Sequence, residues 1–346
     1  MKIFVYVFLL LLLIFRFYVT RPVYKNGQTL TLTQKVLQEP VRYASYQSVT
    51  LTGLKIYLPL YPEIVYGDEI KVTGIYEDGK LTKAKLISVV SSGGLFNFRK
   101  QLIEFYQQNL PEPHASLVAG IVLGSKSSIP ETFWNELKLT GVAHVVVASG
   151  TNVTFVAGFL ISLFTLCFPR RKSVLLVIIA IWLYAVISGL ESPIIRAAIM
   201  ASVALSAQAL GKLALAWKTL ILTVYMMLVY QPAWIGDVGF IMTFVSVISL
   251  MLFQKKMEII LSFLPKVIKE GLSTSLAAQI GVAPILFVTF GQFNILSPLI
   301  NALVLWTVGP IMMIGAISAL LRIRYLLYLV YPLTWWFINI VGLFSV

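Results

Sequence analysis

Apolar and polar residues follow three textures along this chain. The run Ile3–Val19 is almost wholly apolar and about 25 Å long as a helix, near the lower limit for crossing a bilayer. A cleaved signal peptide has a similar core but ends in small residues, and Phe17, Tyr18 and Arg21 stand there instead. An uncleaved transmembrane anchor over 1–20 is therefore the preferred reading. From 21 to 94 the pattern becomes alternating: Thr29–Val36, Gln47–Leu58, Asp68–Tyr76 and Leu81–Val89 are rich in Thr, Val, Ile and Tyr. Pro62-Glu63, Tyr66-Gly67-Asp68 and Glu77-Asp78-Gly79 separate them as turns. Four or five short strands of this kind predict a small Greek-key β-barrel, OB-like, ending at Gly93-Gly94. Phe96–Leu110 is amphipathic, which fits a helix in the membrane interface or one packed on the barrel. Residues 95–141 are expected to hold such interfacial and short re-entrant helices.

The third texture, 142–346, is a helical membrane bundle. Apolar stretches cover 142–168, 173–189, 193–210, 214–230, 238–253, 272–290, 295–321 and 325–345, so about eight spanning helices are expected. Pro284, Pro298 and Pro310 lie within them and predict broken helices, tolerated at membrane depth only where they face protein or a water-filled cavity. The fold class is thus a polytopic α-helical membrane protein with a small extracytoplasmic β-barrel domain.

Composition agrees with that class. Hydrophobic residues make up 58% of the chain, mean hydropathy is +0.87 and charged residues are 12%, against roughly 25% charged in soluble domains. The net charge of +13 suggests nucleic acid until it is located. Of twelve Lys/Arg from residue 142 onward, eleven fall at Arg170-Arg171-Lys172, Lys212/Lys218, Lys255/Lys256/Lys266/Lys269 and Arg322/Arg324, in every second connection. That side is expected to be cytoplasmic, and it puts the start of the first bundle helix, and the β domain, outside. Charge here encodes topology and is no argument for DNA. One cysteine, Cys167, excludes an intrachain disulfide, and two histidines, His114 and His144, exclude a three-histidine metal site. No metal or cofactor is expected.

Arg196 is the one basic residue outside this alternation. It lies one turn into a helix beginning at Ser192-Pro193, where proline suits the first turn. A guanidinium there can bind an anion such as phosphate, or form an ion pair with Asp237 or Glu191. A second anomaly is Gly141 through Asn152, where His144, Ser149, Gly150, Thr151 and Asn152 interrupt an apolar helix. On a continuous helix His144 and Ser149 diverge around the axis, and no carboxylate occurs from Gly141 through Leu190, so a Ser-His hydrolase is disfavoured. A packed helix crossing or a pore constriction fits better. Gln208, Thr243, Ser246, Gln279 and Asn301, spread over several helices, suggest a polar interior.

Taken in order, these motifs resemble those of the ComEC-type competence proteins, inner-membrane channels for DNA uptake. Leu117–Gly124 resembles the short segment ending in Leu-x-Gly, followed by Ile129-Pro130 and Phe133. Thr140-Gly141-Val142-Ala143-His144 with Ala148-Ser149-Gly150 is similar to the family's Ser-Gly-x-x-His-x-x-x-x-Ser-Gly. Ser188-Gly189 and Ser192-Pro193-Ile194-Ile195-Arg196-Ala197 through Met200 resemble its Ser-Pro-x-x-Arg-Ala-x-x-Met helix. Gln231-Pro232 with Asp237-Val238-Gly239-Phe240 through Phe244, then Ala277-Ala278-Gln279, Pro284, Phe290–Asn294, Ser297-Pro298 and Asn301 complete the series. Two positions depart: Asn152 stands where the family commonly has His, and Thr243 where it has Ser.

The resemblance implies a non-enzymatic channel component in the bacterial cytoplasmic membrane that passes single-stranded DNA inward during natural transformation. The implied DNA path runs by His144, Ser149, Gly150, Asn152, Arg196, Asp237, Gln279 and Asn301. The OB-type domain at 21–94, with nine Lys/Arg, six Asp/Glu and seven tyrosines, is expected either to guide the strand by stacking or to fill its own core with those rings. Many family members carry a C-terminal metallo-β-lactamase-type nuclease with His-x-His-x-Asp-His, absent from this sequence, so transport without cleavage is expected. Expected partners are single-stranded DNA, membrane lipids, a separate nuclease, a cytoplasmic translocation ATPase and a second copy of the chain. The competing readings are a transporter of a small solute or lipid, and a degenerate member without transport.

Overall fold

A computed structural model describes residues 11–19, 24–42, 45–77, 79–91, 93–127, 129–146, 149–211, 215–290, 294 and 296–345. They divide into two compact units, 1–100 with 157–237, and 101–156 with 238–346.

In the first unit, six strands form one sheet: β1 (Thr29–Lys35), β2 (Val41–Arg42), β3 (Tyr46–Leu51), β4 (Leu54–Pro59), β5 (Glu69–Glu77) and β6 (Lys80–Val90). The predicted strand Gln47–Leu58 is in fact the hairpin β3–β4. Its two-residue turn, Thr52-Gly53, has φ of 48° and 82°, the left-handed pair that matches strand twist, and uninterrupted alternation on both sides hid it. The sheet order is β1-β5-β6-β4-β3-β2, with a single parallel pair, β4 with β6. Its two edges, β1 and β2, are consecutive in sequence, as if one strand had been split and each half paired at opposite margins. Among the described residues the sheet does not close by hydrogen bonds, so the expected barrel is an open one.

Leu51, Leu54, Ile56, Leu58, Ile70, Val72 and Leu81 form its core, the inward half of each alternating strand. At Gly74, which lies against Leu81, a Cβ would sit 2.7 Å from Leu81 Cγ, and the β5–β6 register shifts there, between Thr73 and Ile75, and again between Lys71 and Val72. Gln47 is fully buried. Its Nε2 donates to the carbonyls of Pro59 (2.7 Å) and Pro62 (2.8 Å), and its Oε1 accepts from Ile64 N–H (3.1 Å), which pins the β4–β5 connection.

The helices are α1 (Leu95–Asn109), α2 (His114–Leu123), α3 (Glu131–Leu139), α4 (Ala143–Val146), α5 (Gly150–Cys167), α6 (Arg170–Ile187), α7 (Ser192–Ala209), α8 (Ala216–Tyr230), α9 (Val238–Ile260), α10 (Lys266–Phe290), α11 (Ser297–Leu321) and α12 (Leu327–Phe344). Short 3-10 turns span Pro232–Gly236 and Arg324–Leu326. Helices occupy each of the eight expected stretches, but among the described residues six segments are long and apolar enough to cross a membrane. α6 opens with three basic residues, and α8 has 15 residues, about 22 Å. Large apolar side chains such as Leu166, Ile221, Phe287 and Val288 are exposed, as expected of surfaces meant for lipid.

The broken-helix expectation needs correction. Pro298 is at the first turn of α11, where its missing N–H costs no bond, and Pro284 and Pro310 lie inside unbroken helices because neighbouring groups can absorb the freed carbonyls. The interruption falls instead between α4 and α5.

In the second unit α11 is the central helix: half of its spanning window is buried, against 28% or less for the other five. Gly315 admits Val118 and Val122 of α2, whose side chains would lie 3.1 and 3.2 Å from a Cβ there. Tyr106 of α1 donates to the Gly315 carbonyl (3.0 Å). In the first unit residues 11–19 are helical, and Arg16 donates from Nε to Val229 O (3.0 Å) and from Nη2 to Tyr230 O (3.2 Å). A cation on the free carbonyls of the α8 C-terminus is favourable for both hydrogen bonding and dipole. Residues 1–10 of the predicted anchor lie outside the described residues.

Candidate functional site

The polar interruption is built in the second unit by the end of α2, the turn before α4, and the starts of α5 and α11. Gly124 ends α2 in the left-handed conformation (φ 70°), its N–H returning to Gly120 O (2.8 Å); this is the reason for glycine in the Leu-x-Gly motif. Gly120 packs against α4, where a Cβ would fall 2.7 Å from Val146 Cγ1. Asn152, fully buried, donates from Nδ2 to Ile121 O (2.8 Å) and accepts at Oδ1 from Ser149 Oγ (3.1 Å). Ile121 is in the last turn of α2, where carbonyls lack helical partners, so Asn152 supplies the cap. Ser149 Oγ also lies 2.5 Å from Thr151 Oγ1, and Gly150 opens α5.

His144 is exposed, and its Nδ1 bonds Gly141 O (3.0 Å). Gly141 itself needs glycine: φ is 73°, and a Cβ would stand 2.6 Å from Ser297 Oγ. Asn294 Nδ2 donates to Leu139 O (2.7 Å) and so ties the start of α11 to the end of α3. Asn301, one turn further along α11, is 5% exposed; its Nδ2 reaches Ser297 Oγ at 3.4 Å, and its Oδ1 is buried without a partner. The structure thus brings His144 to Gly141, which lies against Ser297 with Asn301 one turn on, and Ser149 to Asn152. Gln279, half-buried on α10, joins neither group by a hydrogen bond. Sequence reasoning gave Gly141, Asn294 and Ser297 no role beyond membership of a motif. The available signal was a glycine three residues before a histidine, which needs a partner element to be read.

Arg196 and Asp237 belong to the first unit. α7 begins as expected: Glu191 precedes Ser192-Pro193 with proline in the first turn, and Glu191 O accepts Ile194 and Ile195 N–H, both at 3.0 Å. The ion pair weighed for Arg196 does not form with either carboxylate among the described residues. Glu191 is five positions back, roughly 140° around the helix, and Asp237 is exposed at the turn into α9. Among the described residues the Arg196 Nε is buried with no hydrogen-bond partner. A buried guanidinium N–H left without a partner among apolar helices is costly.

Six segments long and apolar enough to cross a membrane among the described residues, together with a six-stranded β domain, define a multi-pass membrane protein. The chain belongs to the Competence protein family, whose model matches residues 121–345. It is 25% identical over 228 residues to ComE operon protein 3 of Bacillus subtilis (strain 168). That stretch is 66% of this chain and 29% of the relative, so the chain spans less than a third of that protein's length. No solved structure matches it.

Proposed function

We propose that this chain forms part of a path by which single-stranded DNA crosses the cytoplasmic membrane during natural transformation, acting as a channel component and not as an enzyme. The observation that carries the reading is Arg196, whose Nε is buried without a hydrogen-bond partner among the described residues, in a helix long and apolar enough to span a membrane. A polyanion in transit needs a few cationic or hydrogen-bonding stations and must not be held throughout, since strong uniform binding would stall it. Arg196 supplies the charge, and His144, Ser149, Gln279 and Asn301 supply neutral polar contacts, with Asn152 holding Ser149 in place and Gly150 allowing close approach at the head of α5. Asp237, exposed at the turn into α9, falls in a connection on the same expected side as the start of α7. A Ser-His hydrolase gains no support: His144 bonds Gly141 and Ser149 bonds Thr151 and Asn152.

The β domain lies outside in this reading, which rests on the alternation of eleven basic residues. One contact pulls the other way: Arg322 Nη2 donates to Gln101 Oε1 (2.8 Å), in the helix that follows the β domain. A single exposed polar contact is worth little, and the alternation outweighs it. On the β domain, Tyr46 and Tyr57 meet edge to face at 5.5 Å and line a shallow cleft with Pro59, while Tyr61 is 77% exposed. Lys55 shares the outward side of β4 with Tyr57, an arrangement suited to stacked bases and phosphates. The core-filling alternative holds for Tyr66, which is buried, and partly for the Tyr24–Tyr76 pair; Tyr43 lies outside the described residues.

The test is Arg196→Ala in the native host. Transformation should fall at least a hundredfold with the protein still in the membrane, and wild-type frequency would remove Arg196 from the path. In a second arm, the purified chain in nanodiscs should bind a fluorescent single-stranded oligonucleotide weakly and less well as salt rises. Tyr57→Ala should weaken that binding at least fivefold. Transport of a small solute with no DNA binding would favour the solute-transporter reading.

A further inference from the structure

The connection that leads into the Arg196 helix is held by a residue from the β domain. Tyr66, in the β4–β5 connection, is 3% exposed, and its hydroxyl donates to Val186 O at 2.7 Å. Val186 lies in the last turn of α6, where carbonyls have no helical partner; its own chain offers only Gly189 N–H at 3.4 Å. The following residues turn sharply: Gly189 has φ 102° and Leu190, which carries a side chain, φ 49°. Such a turn stores strain and persists only when its surroundings fix it. Leu190 N–H returns to Ala185 O (3.0 Å), so the bond to Val186 falls inside the stretch that the turn closes. Six residues beyond Leu190 stands Arg196.

Tyr66 is itself held on two sides, by Arg99 and by Phe96. The guanidinium of Arg99, in α1, lies 4.9 Å from the ring centroid, within cation–π range. Arg99 is paired with Glu39, and both side chains are almost fully buried. Phe96 meets the ring edge to face at 5.2 Å, and Gly67 leaves room for it, since a Cβ there would lie 2.3 Å from the Phe96 ring. Burial pushes the Tyr66 hydroxyl up to about 12, partly opposed by the nearby Arg99 charge, so the group stays a protonated donor at any physiological pH. A buried ion pair is weak support for stability alone. Here its two charges bracket one tyrosine whose hydroxyl leaves the β domain for the last turn of α6.

We infer that Tyr66, with Arg99 and Glu39 behind it, is a positioning residue: it clamps the end of α6 and so sets the 188–193 turn that presents Arg196. The inference rests on the DNA-path reading only for what Arg196 then does; the clamp itself is a statement about the turn. The consequence is that the β domain, beyond any binding of its own, controls the geometry at the mouth of the α6–α7 pair.

Hydrogen–deuterium exchange on the full chain in nanodiscs tests it. Tyr66→Phe keeps the ring and removes only the hydroxyl, so the fold should survive. Exchange across 186–195 should speed up about fivefold, the factor one net hydrogen bond is worth, while β3–β6 keep their protection. Arg99→Lys keeps the charge but loses the planar stack and should give a change of the same sign in the same segment. Unchanged exchange at 186–195 in both variants, or equal loosening of the β strands and the turn, would overturn the clamp. Transformation by the Tyr66→Phe strain is measured alongside. A loosened turn with normal uptake would leave the clamp standing and count against the Arg196 path instead.

Discussion

At the residue scale, several polar side chains take as partners the backbone carbonyls left over by helix ends. Asn152 caps Ile121, Tyr66 caps Val186, and Arg16 caps Val229 and Tyr230. Each partner is distant in sequence, so the sequence shows the polar residue but not its task. Asn152 is the sharpest case. As a departure from the family's usual histidine it suggested a change in chemistry; buried and bonded on both ends, it acts as a structural cap with Ser149 attached. Asn152→Ala removes the cap and orphans the Ile121 carbonyl, which should cost about 1–2 kcal/mol. Thermal unfolding in detergent measures this, and an unchanged midpoint would mean that Ile121 finds another donor.

At the element scale, close approach between helices depends on glycines whose missing Cβ is occupied by the neighbour. Ser249 of α9 donates to Ala277 O (2.6 Å) on α10, and at Gly281 a Cβ would lie 2.9 Å from Ser249 Cβ and Oγ. The hydrogen bond and the small-residue contact are one feature one helical turn apart. Gly281→Val should therefore cost about 1–3 kcal/mol by forcing the pair apart. Gly158, on α5, has open space around it, and Gly158→Val should stay within about 0.5 kcal/mol. Equal effects at the two glycines would show that helix propensity, not packing, sets the cost. Helix positions were legible from hydropathy alone, since lipid-facing runs must be apolar. Their ends were not: α9 continues past Lys255 and Lys256 to Ile260, because charged residues can extend a helix beyond the apolar zone.

At the scale of the whole molecule, charge alternation gives a topology that can be read from outside the cell. In a Cys167→Ser background, single cysteines replacing Glu63, Asp237, Lys255 and Arg322 are exposed to a membrane-impermeant maleimide on spheroplasts. Positions 63 and 237 should label, and 255 and 322 should require permeabilisation. Labelling of 322 together with 63, and not 255, would place the Gln101–Arg322 contact outside and break the alternation at its last connection.

The membrane class, the β domain, the helix stretches and the Competence resemblance are legible along the chain, because each depends on local composition or on motif order. Which polar residues find partners, and which are left without one among the described residues, emerges only from packing. It turned Asn152 into a cap, left Arg196 without the ion pair that sequence allowed it, and split one expected strand into a hairpin at Thr52-Gly53. The buried Glu39–Arg99–Tyr66 group was invisible in the sequence, where Arg99 sits among the polar positions of an amphipathic helix and Tyr66 within a turn signal. A residue's pattern fixes whether it prefers water, lipid or protein; its partner is fixed only when distant segments pack, and unpaired charge has meaning only once those partners are known.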